Sequence, residues 1–390
     1  MDRRELLKAG AAIVAATTLA RCSLQRSIPV PALVPTTRKL RMDTYSRTLH
    51  WLRTPQDVAA AVREIGNTSV DLTIRAGGGH VDPEKVKTDL PVFVKGLRDG
   101  GVDVSMIAPT ITDATDANAE AVLDTASQLG IHHYWWGTYR FDETKPYWPQ
   151  LDALKPKVEA IAKLNEKYGM KGMAHPRDGA GSVSAAFFDL LYVLQNFDPR
   201  YVSFQYDTHH LLQAFDSGWV QQLRMGAPYI GGFVWKDIAI ERADTPNPDD
   251  AVRAAAAAAA PAGGAAAGGG RGGRGAAGAA PAGGPGGAAG AAGAGRGGGG
   301  RGGAAANATP TKTRIRQVPV GTGNINLPLI AATLKEIGFD GPMECEPEWP
   351  GLGGAENGAT TLTKPRAEVI ALLKRDRDYM DGILTTAGLM

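Results

Sequence analysis

Strand-like and helix-like segments alternate eight times along this chain, and this alternation limits the fold more than any other feature. The strand candidates are residues 40–45, 70–75, 102–107, 132–136, 170–174, 201–206, 229–235 and 342–346, each short and rich in β-branched or aromatic residues. Between them lie segments with helix start and stop signals. Thr54-Pro55 supplies an N-cap and a proline at the first helical position, and Gly66, Gly130, Gly169 and Gly338 close helical runs. Eight such units predict a parallel (β/α)8 TIM barrel, which needs about 250 residues plus loops. The competing doubly wound sheet carries a G-x-G-x-x-G turn after its first strand. Here that position reads Asp43-Thr44-Tyr45-Ser46, and Gly77-Gly78-Gly79 lacks the spacing.

The alternation is interrupted once. From 249 to 312 the chain is almost only Ala, Gly and Pro with a few Arg, side chains that cannot bury a core. A long disordered low-complexity insertion after strand seven is therefore expected, with a transient helix in the alanine run at 254–260. Arg271, Arg274, Arg296 and Arg301 sit in Arg-Gly pieces like those of nucleic-acid-binding tails. The whole chain carries 42 basic and 40 acidic residues, a formal charge of +2, so no phosphate-backbone partner is expected.

Residues 1–22 read as an export signal. Arg3-Arg4 followed by Leu6-Leu7-Lys8 matches a twin-arginine leader, and the apolar run at 9–20 is too short to span a bilayer. The expectation is an exported, periplasmic bacterial protein with no transmembrane span in its mature chain. Arg21 stands where a lipoprotein box needs a small residue, which weighs against lipidation of Cys22. Residues 23–38, with Pro29, Pro31 and Pro35, read as an extended linker, and 39–390 as the barrel. Cys22 and Cys345 are the only cysteines, so neither a disulfide scaffold nor a Cys-based zinc site is expected.

In a barrel of this kind all eight strands open their C-terminal ends on one mouth. That rule gathers Arg75 and His80, Trp135, Trp136 and Arg140, His175 and Arg177, Asp207, His209 and His210, Lys236 and Asp237, and Glu346, Glu348 and Trp349. An imidazole and two carboxylates from different strands can hold a divalent cation and leave positions open for substrate. Arginine and lysine donate to hydroxyl, carboxylate or phosphate oxygens, and flat aromatic faces suit the C–H face of a sugar. His132 and His133 read instead as packing residues of strand four. Arg140 can simply pair with Asp142 or Glu143, and Asp237 can simply cap the chain after strand seven.

These residues resemble the xylose isomerase-like sugar phosphate isomerase/epimerase family. Asp207-Thr208-His209-His210 is similar to its Asp-x-x-His signature on strand six, and Val234-Trp235-Lys236-Asp237 to its His-x-Lys-Asp signature on strand seven. Val320-Gly321-Thr322-Gly323, Ile337-Gly338-Phe339-Asp340-Gly341 and Glu346 are similar to its Gly-x-Gly turn, its Ile-Gly-Tyr-Asp-Gly helix end and its strand-eight glutamate. The resemblance implies a divalent metal (Mn, Mg, Co or Zn) on strands five to eight, held here by Asp207, Glu346, His175 and His210. It implies Glu346 as base, His175 as partner acid/base, and Lys236 with them in the chemistry. His210, Arg177, Arg75, Trp136 and Trp349 would bind substrate. Two positions depart from the family: His175 stands where a glutamate is common, and Val234, which cannot bind metal, where a histidine is common.

The implied chemistry is a metal-assisted proton shift beside a carbonyl, through an enediolate, on a sugar or sugar derivative. Three other readings remain open on sequence: a lyase or hydrolase of oxidised sugars, a catalytically silent sugar-binding barrel, and an endonuclease IV-type repair enzyme, the last opposed by the leader and the near-neutral charge.

Overall fold

The computed structural model describes residues 34–137, 139–179, 181–212, 218–259 and 313–390. Residues 1–22, expected as a leader, most of the stretch expected as a linker, and residues 260–312 lie outside the described residues.

Among the described residues ten strands are present: β1 (Met42–Tyr45), β2 (Ser69–Ile74), β3 (Asp103–Pro109), β4 (His133–Trp136), β5 (Lys171–Ala174), β6 (Val202–Asp207), β7 (Ile230–Trp235), β8 (Asp237–Arg242), β9 (Thr313–Val318) and β10 (Met343–Cys345). Eight of them close a barrel in the order β1-β10-β7-β6-β5-β4-β3-β2. Every pairing within it is parallel. This is the (β/α)8 barrel expected from the alternation. The apolar residues that face outward from the strands pack against the surrounding helices in one large core, whereas Tyr45, Met106, Ala108, Trp135 and Met173 form a separate small cluster within the lumen.

The helices follow from their end signals. In α1 (Pro55–Ile65) the Thr54 hydroxyl accepts from the Asp57 N–H, proline sits in the first turn, and Gly66 ends the helix at φ 105°. α2 (Val86–Asp99), α3 (Ala119–Gln128), α4 (Tyr147–Tyr168) and α5 (Phe188–Leu194) succeed β2 to β5. α6 (Thr208–Leu212) starts directly at the end of β6, and α7 (Trp219–Gly226) leads to β7. No helix among the described residues is long and apolar enough to cross a membrane.

The insertion begins later than composition suggests. Residues 249–259 belong to a helix, α8 (Pro248–Ala259), and β8 and β9 form an antiparallel hairpin that flanks the segment. Pro248 at the helix start, with Asp249 and Asp250 in the first turn, is a good N-terminus, and the alanines that follow favour helix. Asp249 is only 4% exposed and pairs with Arg316 Nη1 at 2.7 Å, while Glu241 holds Arg314 and Arg316. The low-complexity count hid these pairs because their partners lie on both sides of the alanine run. α9 (Leu327–Glu336) and α10 (Arg366–Ala387) complete the shell.

Asp237, the last residue of the strand-seven signature, is a structural anchor. Its carboxylate accepts the backbone N–H groups of Ile238, Gly321 and Gly323 at 2.8, 2.9 and 2.9 Å, and of Ile325 at 3.3 Å. A Cβ on Gly323 would lie 2.1 Å from Asp237 Oδ1, so the Gly-x-Gly turn and the aspartate require each other. Asp237→Ala leaves these donors unsatisfied and is expected to destabilise the fold by about 1–3 kcal/mol. Urea unfolding followed by circular dichroism measures this, and an unchanged midpoint would refute the anchoring role.

Candidate active site

Side chains alternate across a strand, so residues two apart share a face. On β6 this aligns Gln205 with Asp207. On β10 and its continuation it aligns Glu344, Glu346 and Glu348, and on β7 it aligns Gly232, Val234 and Lys236. The structure brings Asp207, His175, His210, Lys236 and Glu346 together at the C-terminal end of the barrel. Asp207 is fully buried, and His175, Lys236 and Glu346 are 2%, 3% and 4% exposed.

Lys236 Nζ occupies the centre. It lies 3.0 Å from Asp207 Oδ2 and 2.9 Å from Glu348 Oε2, and it contacts Glu346 Oε2. Glu348 also meets Arg47 Nη1 at 2.6 Å and Gln317 Nε2 at 3.2 Å. Burial by itself would lower the lysine's pKa, but Asp207, Glu346 and Glu348 hold it well above the ordinary value. Burial would likewise raise Asp207, yet Lys236, then His210 and His175, keep its carboxyl well below the usual range.

Two imidazoles converge on the same oxygen. His175 Nε2 is 3.6 Å and His210 Nε2 3.8 Å from Asp207 Oδ2. Their far nitrogens are both engaged. His175 Nδ1 is 2.8 Å from Gln205 Oε1, whose amide nitrogen donates to Glu344 Oε1 at 3.0 Å. His210 Nδ1 is 2.5 Å from Asp178 Oδ1, and Arg177 Nη1 donates to His210 Nε2 at 3.2 Å. An amide oxygen and a carboxylate only accept and a guanidinium only donates, so both rings carry their proton on Nδ1 and present a bare Nε2. Burial, with Arg177 adding to it, puts the His175 pKa well below the ordinary value, so this imidazole is neutral. His175 Nε2 is buried and takes no hydrogen bond, whereas Asp207 Oδ2 is met by Lys236 Nζ at 3.0 Å. His175, Asp207 and His210 thus offer three ligand atoms within 4.8 Å of one another. A buried imidazole nitrogen without a partner, beside a carboxylate and a second imidazole, fits a bound cation.

Other expected site residues fall in different places. Arg75 reaches the mouth, donating to Tyr45 Oη at 2.9 Å. Its guanidinium lies 4.8 Å from the Trp135 ring centre, and that of Arg177 lies 5.9 Å away. Trp136 is not part of this wall. It is wholly buried on the outer side of β4 beside Tyr139. Trp135 faces the lumen, 5.0 Å from His175, and donates Nε1–H to Asp71 Oδ2 at 3.3 Å. The correction is one of parity: adjacent tryptophans on a strand point to opposite faces. Trp349 is also displaced from the mouth. Its indole N–H donates to Asp376 Oδ2 on α10 at 2.7 Å, and Arg375 stacks on it, so it packs between barrel and helix. Val234 shares the inward face with Lys236 and brings no ligand. His80 pairs with Thr73 Oγ1 at 3.1 Å, beside His50 rather than in the His175 group.

Below the site the lumen is acidic. Asp43 accepts from the Ser69 and Ser105 hydroxyls, and burial raises its pKa to about 6. Burial raises Asp71 to about 8, against the pull of Arg75 and with help from Asp43 and Glu346. Glu344 is raised well above the ordinary value by burial and then by Asp71 and Glu346.

The fold and this mouth define a TIM barrel with a buried cluster of two histidines, carboxylates and a lysine at the C-terminal ends of its strands. The family described as "Xylose isomerase-like TIM barrel" matches residues 59–262, and the chain belongs to it. Among solved structures it is similar to an L-ribulose 3-epimerase (13% identity, 89% of this chain and 95% of that one, TM-score 0.53). It is also similar to a D-psicose 3-epimerase from Clostridium cellulolyticum H10, solved with D-tagatose (12%, 88% and 99%, 0.52). A third is a xylose isomerase-like TIM barrel protein from Mycobacterium smegmatis in complex with magnesium (14%, 92% and 100%, 0.51). At these identities the likeness is one of fold. No curated protein matches the sequence.

The raised carboxyls set a pH dependence. In the folded state Asp71 holds its proton up to about 8, whereas unfolded it releases it near 3.8. The folded chain binds more protons between those values, so this contribution is complete below the lower pKa and is lost as pH rises through the upper one. Asp71→Asn is expected to flatten the fall in stability over that window. Melting temperatures of metal-free wild type and variant across the range test it, and parallel curves would refute it.

Proposed function

We propose that this chain is an exported sugar isomerase-type enzyme that moves a proton beside a carbonyl of a sugar or sugar derivative through an enediolate. Membership of the xylose isomerase-like family sets the class. The observation that carries the reading is the convergence of Lys236, Glu346, Asp207 and two Nδ1-anchored histidines on one buried point at the catalytic end of the barrel. The Arg3-Arg4 pair ahead of Leu6-Leu7-Lys8 and a short apolar run is what supports export.

Glu346 serves as the base. Its Oε2 is aimed at the lysine, and a carboxylate fixed by one ammonium can take a proton from carbon without losing its place. Lys236, charged and buried, donates to the oxygen on which the enediolate charge grows. Arg177 and Arg75, flanking Trp135, bind hydroxyl or anionic groups while the indole face covers the ring carbons. A divalent metal held by His175, Asp207 and His210 would supply further charge stabilisation for that oxygen.

One feature narrows the reaction. Gln205 fixes the His175 Nδ1 proton, so the ring has a single free nitrogen. It can ligate or shuttle a proton, but not both at once. With His175 as a ligand, Glu346 acts without an imidazole partner, while Glu348 is held between Lys236 and Arg47 and Asp178 by His210. A single base favours a proton shift on one face of the substrate, or loss of a β-leaving group from the same enediolate. It disfavours epimerisation by two opposed bases. A lyase acting on oxidised sugars is therefore the second reading this observation supports.

Incubation of aldoses, ketoses and keto-sugars in D₂O tests the proton shift. Deuterium at the carbon next to the carbonyl, and loss of turnover by about 10²–10⁴-fold in a folded Glu346→Gln variant, are expected. Glu346→Gln with undiminished turnover would refute the assignment of the base.

A further inference from the structure

A third imidazole, His209, stands beside the mouth cluster, and one side chain of the β8–β9 hairpin, Gln317, reaches it. We infer that Gln317 is a positioning residue that fixes the ring proton of His209 on Nε2, and that His209 so fixed donates to a hydroxyl or carbonyl oxygen of the substrate. The substrate contact rests on the proposed sugar chemistry, whereas the positioning of the proton stands without it.

One amide decides where the proton sits. Gln317 Nε2 lies 3.2 Å from Glu348 Oε2 and 3.2 Å from His209 Nδ1. A carboxylate only accepts, so the NH₂ end of the amide must face Glu348; an amide oxygen there would be set against a negative charge. The second N–H of the same group meets His209 Nδ1, which must therefore offer a lone pair. The ring is then neutral, with its proton on Nε2. His175 and His210 have the reverse arrangement, their Nδ1 atoms held by Gln205 Oε1 and Asp178 Oδ1. Of these three imidazoles, two thus carry a bare Nε2 and His209 carries an Nε2–H.

The hairpin itself does not call for an amide at this position. Cross-strand partners share a face, and Gln317 stands opposite Ile238, next to the Ile240–Ile315 pair on the same face. An apolar side chain would suit that face, so the amide serves the mouth. Glu348 already has Lys236 and Arg47, and the further bond from Gln317 orients the amide more than it secures the carboxylate. The backbone of His209 is fixed as well, because Asp207 Oδ1 accepts its N–H at 2.8 Å. A donor held in direction loses little freedom when it meets a ligand. His209 is partly exposed, whereas His175 and His210 are 2% and 7% exposed, so it is the imidazole most open to an entering sugar.

The first measurement uses the full chain and needs no sugar. Nitrogen NMR of histidine-labelled protein at neutral pH is expected to show the His209 ring neutral and protonated on Nε2. The near-isosteric Gln317→Met should leave a mixture of the two tautomers, with the circular dichroism spectrum unchanged. A wild-type His209 protonated on Nδ1, or on both nitrogens, would overturn the inference, and so would an unaltered tautomer in Gln317→Met. The second measurement uses a sugar turned over in the D₂O incubations. Gln317→Met and His209→Phe are expected to raise KM by about 3–10-fold with kcat little changed, the loss of one hydrogen bond made to bound and reacting substrate alike. His209→Gln, whose amide nitrogen can stand near the place of Nε2, should recover most of the affinity, whereas His209→Asn, whose nitrogen stands near Nδ1, should not. Wild-type KM in His209→Phe, or better rescue by asparagine than by glutamine, would refute the substrate contact. Absence of turnover on every sugar would overturn that contact together with the proposed function, while the tautomer measurement would still decide the role of Gln317.

Discussion

Lys236 Nζ stands between Asp207, Glu346 and Glu348 at the mouth of the barrel, and the rest of the site is arranged around that contact. Taking one ammonium and three carboxylates out of water is unfavourable unless each finds partners. The chain supplies them from separate elements: Arg47 after β1, Gln317 on β9, and the Thr208 hydroxyl, which accepts the Lys236 backbone N–H at 2.8 Å. The positive charge that strand seven contributes to the mouth comes from Lys236, two residues beyond Val234 on the same inward face.

The lumen beneath the lysine shows the reverse electrostatics. Asp43, Asp71 and Glu344 have no ammonium among them, and burial pushes all three upward. Glu344 is the link between the layers. It braces Gln205, which sets the His175 tautomer. A carboxyl deep in the barrel therefore acts on the mouth through an amide. Asp207 itself is fully buried beneath the rim.

Much of the fold could be read from period and punctuation. Eight strands and their glycine-ended helices needed only local signals, and the barrel follows from their number and order. What escaped depended on long-range pairing. The β8–β9 hairpin joins residues 237–242 to 313–318 across the insertion, and no local pattern announces a partner that distant. In the site, Asp207 ends β6, His175, Lys236 and Glu346 each follow directly on a strand, and His210 lies in the single turn of α6, so the barrel rule gathers them from sequence. Trp136 was chosen over Trp135 where strict alternation from Tyr134, a core position, would have reversed the choice. Gln205 could have been found the same way, two residues before Asp207 on one face. Asp178 and Gln317 could not, because they reach the site from a loop and from the hairpin.

Two residues of one signature divide the work between chemistry and architecture. Lys236 faces inward and joins the carboxylates, whereas Asp237 turns outward and binds the backbone of the glycine turn at 321–325. Because the residues are adjacent, the turn that fixes Asp237 also fixes where the lysine's backbone leaves β7. That turn follows directly on β9, whose Gln317 touches both Glu348 and His209. The hairpin carrying the Ala/Gly-rich segment is thus bolted to the site at its base, by Asp237 on one side and Gln317 on the other. Large variation in the length of the segment can be accommodated beyond the hairpin, since loop closure penalties grow only slowly with length. Variation at its base cannot, because there the same few hydrogen bonds serve the fold and the mouth together.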